Sequence, residues 1–314
     1  MISTIIGALL PTVVTLMLGL LAGWHRDFDA RKATVLNSMV MLYALPLSLF
    51  AGMVGMSRDQ VLSQGPLAFA ILLGMAGGYA AVFFISHYLF RRDLVTASLE
   101  ALAIAGPAVP FIGFSVLGHL FGNSSAIPIS VAGLVMNLIQ LPATLMLVSV
   151  GMAQKGTAPT AKQPSLGEHI IHALRQPVVW APLLALVLIL FNLHFPESIE
   201  ASLGLLGGAT GGVALFASGI VLYSFRVAFN LTVGIAVIAR NIVIPAVIWA
   251  LMLVLHMDTE ITKEAVVTLA IPTASIAVIL AVQYQIAEQE MASILFFSTI
   301  SSIITMGGFI WLTA

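Results

Sequence analysis

Apolar residues run along this chain in long blocks broken by short polar stretches, and a block of about 20 is what an α-helix needs to cross the hydrocarbon of a bilayer. Ten such blocks stand at roughly 3–23, 33–55, 66–89, 94–120, 125–151, 177–195, 201–223, 229–255, 263–286 and 289–312. The pattern predicts an all-α polytopic membrane protein with ten transmembrane helices. Two blocks are interrupted near their midpoints. The fourth carries AIAGPAVPFIGF (103–114), with Gly106, Pro107 and Pro110 inside an apolar run, and the ninth carries LAIPTASIAVIL (269–280), with Pro272. A proline inside a helix removes a backbone hydrogen bond and clashes with the preceding turn, at a cost of about 3 kcal/mol. Hydrocarbon offers no water to repair the loss, so such breaks belong where the freed groups are buried in protein or line a wet cavity.

Most connections between blocks are short. The exception, 152–176, is rich in Gly, Pro, Thr and Lys at its start and reads as a cytoplasmic linker. Within it Ser165 precedes Glu168 by three residues, a capping-box pattern that predicts a short interfacial helix. The linker divides the chain into a first five-helix repeat (1–151) and a second (177–314). Landmarks recur between the two. LSLFAGM and VALFASGI align Phe50 with Phe216, and PTVV and PVVW align Pro11 with Pro177, both at an offset of 166. Pro107 aligns with Pro272 at an offset of 165. An odd number of spans per half turns the second repeat upside down. The expected architecture is therefore an inverted 5+5 repeat with proline-broken crossover helices at spans 4 and 9.

Composition fits this reading. Charged residues make up 8% of the chain and hydrophobic residues 60%, with a mean hydropathy of +1.09, whereas soluble domains carry about 25% charged residues. A net charge of −1 gives no basic field for nucleic acid. With no cysteine there are no disulfides, thiol nucleophiles or cysteine metal sites. The first 23 residues are apolar without a basic leader, which predicts a first spanning helix in place of a cleaved signal. If the N-terminus lies outside, the inner connections hold Arg26, Arg31, Lys32, Arg91, Arg92, Lys155, Lys162, Arg175 and Arg226, against only Arg58 and Lys263 outside. This asymmetry predicts a bacterial inner-membrane protein with both termini periplasmic.

Interrupted helices at matching positions of inverted repeats are the signature of many secondary transporters. Each half-helix that starts after a break presents unpaired N–H groups and a positive dipole end, and two such ends at one cavity suit an anion such as a carboxylate. The candidate binding residues are Gly106, Pro107, Ala108, Val109 and Pro110 at the first break, and Pro272, Thr273, Ala274 and Ser275 at the second, where the two hydroxyls are expected to cap the break. Asn37, Asn137, Gln140 and Asn241 are polar residues within spans and are expected to line the cavity. Arg240 is a charge inside the eighth span, where burial costs at least about 2.5 kcal/mol and a cavity or partner is expected. Glu100 is the candidate for proton coupling. No HExxH, GxSxG or P-loop is present, and His169 and His172 alone make a weak metal site, so neither an enzyme nor a cofactor is expected. An anion channel is the alternative reading; it needs a continuous pore.

The segments LNSMVMLYALPLSLFAGM (36–53), QPVVWAPLLALVL (176–188), GGVALFASGIVL (211–222) and ASILFFSTISSIITM (292–306) resemble the auxin efflux carrier family, which includes plant PIN carriers and bacterial organic-anion carriers. The resemblance covers essentially the whole chain and is closest to bacterial malonate carriers. It implies the inverted ten-helix fold, a scaffold and a crossover subdomain, elevator-type alternating access and, often, a homodimer. It also implies a small organic anion held where the two broken helices cross, with a larger auxin-like carboxylate as the other substrate class. In this sequence Ala108 stands where relatives commonly place asparagine after the span-four proline, and Arg240 stands where they often carry a basic residue.

Overall fold

In a computed structural model, which describes residues 2–154, 167, 168, 171, 174–193, 196–224 and 227–313, the described residues form helices and no strand. The expected interfacial helix in the linker lies largely outside the described residues. Six helical segments are long and apolar enough to cross a membrane: Arg31–Val54, Gly65–Leu89, Val109–Gln154, Ala201–Tyr223, Leu231–Val254 and Glu288–Leu312. Shorter apolar helices join them, and the chain is a multi-pass membrane protein. We number the elements α1 (Ile2–Trp24), α2 (Arg31–Val54), α3 (Gly65–Leu89), α4 (Leu94–Ala105), α5 (Phe114–Phe121), α6 (126–154), α7 (Pro177–Leu190), α8 (Ala201–Tyr223), α9 (Leu231–Val254), α10 (Thr259–Ala270), α11 (Ile276–Tyr284) and α12 (Glu288–Leu312).

Short polar residues at the membrane surfaces start these helices by taking orphan amides of the first turn. Asp93 opens α4 by accepting from Val95 N and Thr96 N, and Asp258 opens α10 by accepting from Glu260 N and Ile261 N. Asn230 does the same for α9 through Val233 N at 2.9 Å. The two half-helices α4 and α10 are thus each 12 residues long, each started by an aspartate.

Several helices contain one widened π turn, a distortion found often at functional sites. Those at Leu73–Gly77 and Ala239–Val243 lie 166 positions apart, and another spans Met136–Gln140. Four of the polar residues singled out by sequence, Asn137, Gln140, Arg240 and Asn241, sit in these π turns.

The helices pack as two sets that interleave the sequence halves. One set joins α1 to α8 and α2 to α7; the other gathers α3, α4 and α6 with α9, α10, α11 and α12. The α1–α8 crossing is close enough that glycine is required on both sides. A Cβ on Gly19 would stand 2.1 Å from Phe216 O, and one on Gly219 would stand 2.2 Å from Leu16 O. Small residues let membrane helices gain packing contacts that lipid does not match.

Candidate functional site: the crossing of two broken helices

Both breaks fall where the proline pattern predicts them. α4 ends at Ala105 and α10 at Ala270, and the chain then runs extended through Gly106 and Ile271. The two extended pieces lie antiparallel and bond each other. Ala108 N donates to Pro272 O at 2.8 Å, and Ala274 N donates to Gly106 O at 2.9 Å. Pro107 consequently faces Thr273, and not Pro272. That pairing has an offset of 166, the value shared by the other two landmarks, and it corrects the proline-on-proline alignment by one position. Glycine is needed at 106 because a Cβ there would lie 2.5 Å from Leu102 O.

Each first half-helix leaves carbonyls at its C-terminal end without intrahelical donors. Two buried side chains from π turns supply them. Gln140 Nε2 donates to Ala105 O and to Met75 O, both at 2.9 Å. Arg240 is fully buried, and its guanidinium reaches Ile271 O through Nε (3.1 Å) and also Nη2, Ile104 O through Nη1 (3.1 Å) and Leu269 O through Nη2 (2.7 Å). Ala105 and Ile271 are themselves 166 apart, so one task is done by an amide in one half and a guanidinium in the other. Arg240 lines none of the cavities described here; its bonds go to main-chain carbonyls.

The second break is anchored sideways. Thr273 Oγ1 donates to Ala103 O at 2.9 Å, and Thr273 N donates to Ser298 Oγ at 3.1 Å. Ser298 donates to Asn241 Oδ1 at 2.7 Å, while Asn241 Nδ2 donates to Ser298 O and Ser301 Oγ, each at 2.8 Å. Ser275 occupies the N-cap position of α11 but makes no side-chain cap bond, and the Thr273 hydroxyl reaches across to α4 instead of capping its own helix. Asn137 is buried and donates one turn back to Gly133 O at 2.8 Å. Asn37, on α2, has a buried Oδ1 with no hydrogen-bond partner among the described residues.

Beside the crossing lies a void of about 10 Å³ bounded by Ala108, Phe111, Ile112, Thr273, Ser275 and Thr299 and, from the other set of helices, Leu16, Ser218 and Leu222. It holds about one water and no carboxylate anion. On the side away from the linker a cavity of about 660 Å³ separates the two sets of helices. Its walls are unusually shallow: Gly52, Gly55, Gly118, Gly122, Gly204, Gly208, Gly211 and Gly212, with Ser48, Ser115, His119, Asn123 and Ser125 as polar groups.

Glu100 is buried in α4, seven residues before Pro107 and so about 10 Å along the helix toward the linker side. It is not isolated. Arg92 Nε lies 3.1 Å from Glu100 Oε1, Arg92 Nη2 lies 2.9 Å from Glu290, and Ser86 donates to the second Glu100 oxygen. Arg92 and Glu290 are 198 residues apart, and no local pattern links them. A second buried acid, Glu264 on α10, accepts from Ser124 Oγ at 3.5 Å beside the wide cavity. It was legible only as one charge among several at the start of a span.

Comparison with known proteins agrees with this architecture. The family described as "Membrane transport protein" matches residues 4–310. A protein of Escherichia coli (strain K12) named "Uncharacterized transporter YfdV" is 27% identical over 307 residues, which is 97% of this chain and 96% of that one. A protein of Rhizobium meliloti (strain 1021) named "Putative malonate transporter" is 22% identical over 312 residues, 98% of this chain and 95% of the relative.

Proposed function

This chain belongs to the membrane transport protein family, and on that footing we propose that it is a secondary carrier. It moves a small organic anion, a mono- or dicarboxylate of malonate-like size, across a bacterial inner membrane by elevator-type alternating access. The observation that carries the reading is the reciprocal pairing of the two breaks, Ala108 N to Pro272 O and Ala274 N to Gly106 O. Reciprocal bonds at one offset are what two inverted copies meeting on a local two-fold axis would make. The π turns at Leu73–Gly77 and Ala239–Val243, at the same offset, support an inverted 5+5 repeat.

The crossing sorts charge by side. The C-terminal ends of α4 and α10 turn toward Gln140 and Arg240, which neutralise their carbonyls. The π turn Val109–Gly113 that leads into α5 and the start of α11 border the small void, and their positive ends favour an anion there. Ala108, Thr273, Ala274 and Ser275, with Val109, Pro110, Thr299 and Ser218 around them, form the binding surface; Arg240 adds positive potential from behind the carbonyl layer. Asn37 does not line the void, and Asn137 and Asn241 hold the frame.

The void must enlarge for a carboxylate to enter, and the wide cavity between the two sets gives the direction of access. Glycine and serine walls let one set slide past the other without interlocking side chains. A crossing closed to about one water supports a carrier over an open pore. With the linker face cytoplasmic, as the positive-inside asymmetry implies, the wide cavity opens to the periplasm and both termini are periplasmic. Glu100, with Ser86, Arg92 and Glu290, is the site proposed to bind the coupled proton.

Uptake of labelled malonate into proteoliposomes, with and without an imposed pH gradient, tests substrate and coupling together. Saturable, counterflow-competent uptake is expected. Absence of uptake for every short carboxylate, in either direction, overturns the proposal.

A further inference from the structure

A cavity of about 500 Å³ lies between α3, α4 and α9 on the linker side, away from the crossing, and the Glu100, Ser86 and Arg92 cluster proposed for the coupled proton forms part of its wall. The rest of the wall is mostly apolar, with Val82, Ile85, Phe90, Ile104, Ile235 and Ala239 beside the hydroxyl of Thr232. It sits in a furrow whose flanks face outward, with Phe84, Tyr88, Leu89, Leu231 and Ile238 all more than half exposed. In a membrane-spanning protein such a face meets acyl chains.

The mouth of the furrow is cationic. Arg91 and Arg92 both line it, but they are not equivalent. Arg92 is committed to Glu100 and Glu290. Arg91 is exposed and forms no ion pair among the described residues. The turn that presents it is fixed at both ends, by Arg92 N donating to Ser86 O at 3.0 Å and by His87 Nδ1 against Arg92 O at 2.9 Å.

An uncommitted guanidinium at headgroup level, above an apolar slot between two outward-facing helices, matches the chemistry of one ligand class. We propose that this furrow binds an anionic phospholipid, with Arg91 on the headgroup phosphate and an acyl chain lying between α3 and α9. A furrow on the other side, between the ends of α9 and α12 and the start of α10, has no charged residue in its lining, among them Trp249, Leu253, Met257 and Leu312, so it offers a headgroup phosphate no such partner.

The test compares the full chain in vesicles of phosphatidylcholine with and without phosphatidylglycerol. Lipid retained through mild detergent is counted by native mass spectrometry, and unfolding is followed by tryptophan fluorescence. Phosphatidylglycerol is expected to be retained about fivefold over phosphatidylcholine, the ratio one basic residue supplies near an anionic surface. Arg91→Gln should abolish that ratio, Arg91→Lys should keep most of it, and Arg26→Gln, on the same face outside the furrow, should leave it unchanged. Ile235→Gln should weaken lipid retention without touching the cationic mouth. Equal retention of both lipids, or an intact preference in Arg91→Gln, overturns the proposal. So does stabilisation by inorganic phosphate alone that matches the lipid's, because the site would then take a soluble anion.

Discussion

Arg240 donates to the carbonyl of Ile271 just as Gln140, in the other half of the chain, donates to that of Ala105. The positive charge that looked most like a substrate ligand is the C-terminal clamp of two half-helices, because α4 and α10 both end within its reach.

Replacing Arg240 with methionine should therefore act on the fold as well as on transport. It would leave Ile104, Leu269 and Ile271 with fewer buried donors, and each unsatisfied buried group costs about 1–3 kcal/mol. We expect a lower thermal midpoint in detergent together with loss of anion uptake. Arg240→Lys should also lose stability, since a single ammonium lacks the planar fork that reaches three carbonyls. A lysine variant with unchanged melting and only a raised KM would show Arg240 to be a ligand.

Gly106→Ala places a methyl 2.5 Å from Leu102 O, which accepts from Gly106 N, while Gln140 holds the neighbouring Ala105 O. The extended piece must shift, and with it the bond from Ala274 N to Gly106 O. Uptake should fall at least tenfold, with a smaller loss in melting temperature than Arg240→Met, as read by transport and thermal melts on the same preparation.

Glu100→Gln keeps the size of the side chain and removes its exchangeable proton. Arg92 retains Glu290 as a partner, so the variant should fold. Its uptake should lose the stimulation that an imposed pH gradient gives the parent, while counterflow, which needs no gradient, persists. Undiminished response to the gradient would remove Glu100 from the coupling path.

The absence of cysteine allows a clean lock across the seam between the two sets of helices. A Cβ on Gly52 would lie 3.0 Å from the Cβ of Ala126, so the two helices must part by about 0.5–1 Å to reach the Cβ separation of a disulfide. Gly52→Cys with Ala126→Cys should transport when reduced and stop when oxidised, with recovery on reduction.

The breaks were legible because proline lacks an amide and because the second proline recurs at nearly the right interval. Their register was not. Matching Pro107 to Pro272 follows residue identity, whereas the chain pairs Pro107 with Thr273, since bonds between backbones ignore side-chain names. Arg240 announced itself as a charge in an apolar run, but its acceptors are carbonyls, which every residue carries and no sequence displays. Arg92 and Glu290, far apart along the chain, were two ordinary interfacial charges until folding joined them. Gly19 and Gly219 gave no pattern at all, because what they contribute is the missing atom that lets α1 and α8 touch.

The backbone hydrogen bonds between residues 106–108 and 272–274 carry a mechanical consequence. A transporter whose halves parted like jaws would have to tear this short ribbon at every cycle. In the elevator motion proposed above, the broken helices, stitched at their centres, would travel as one carriage, with the cargo at the stitch and the glycine-walled seam as the rail.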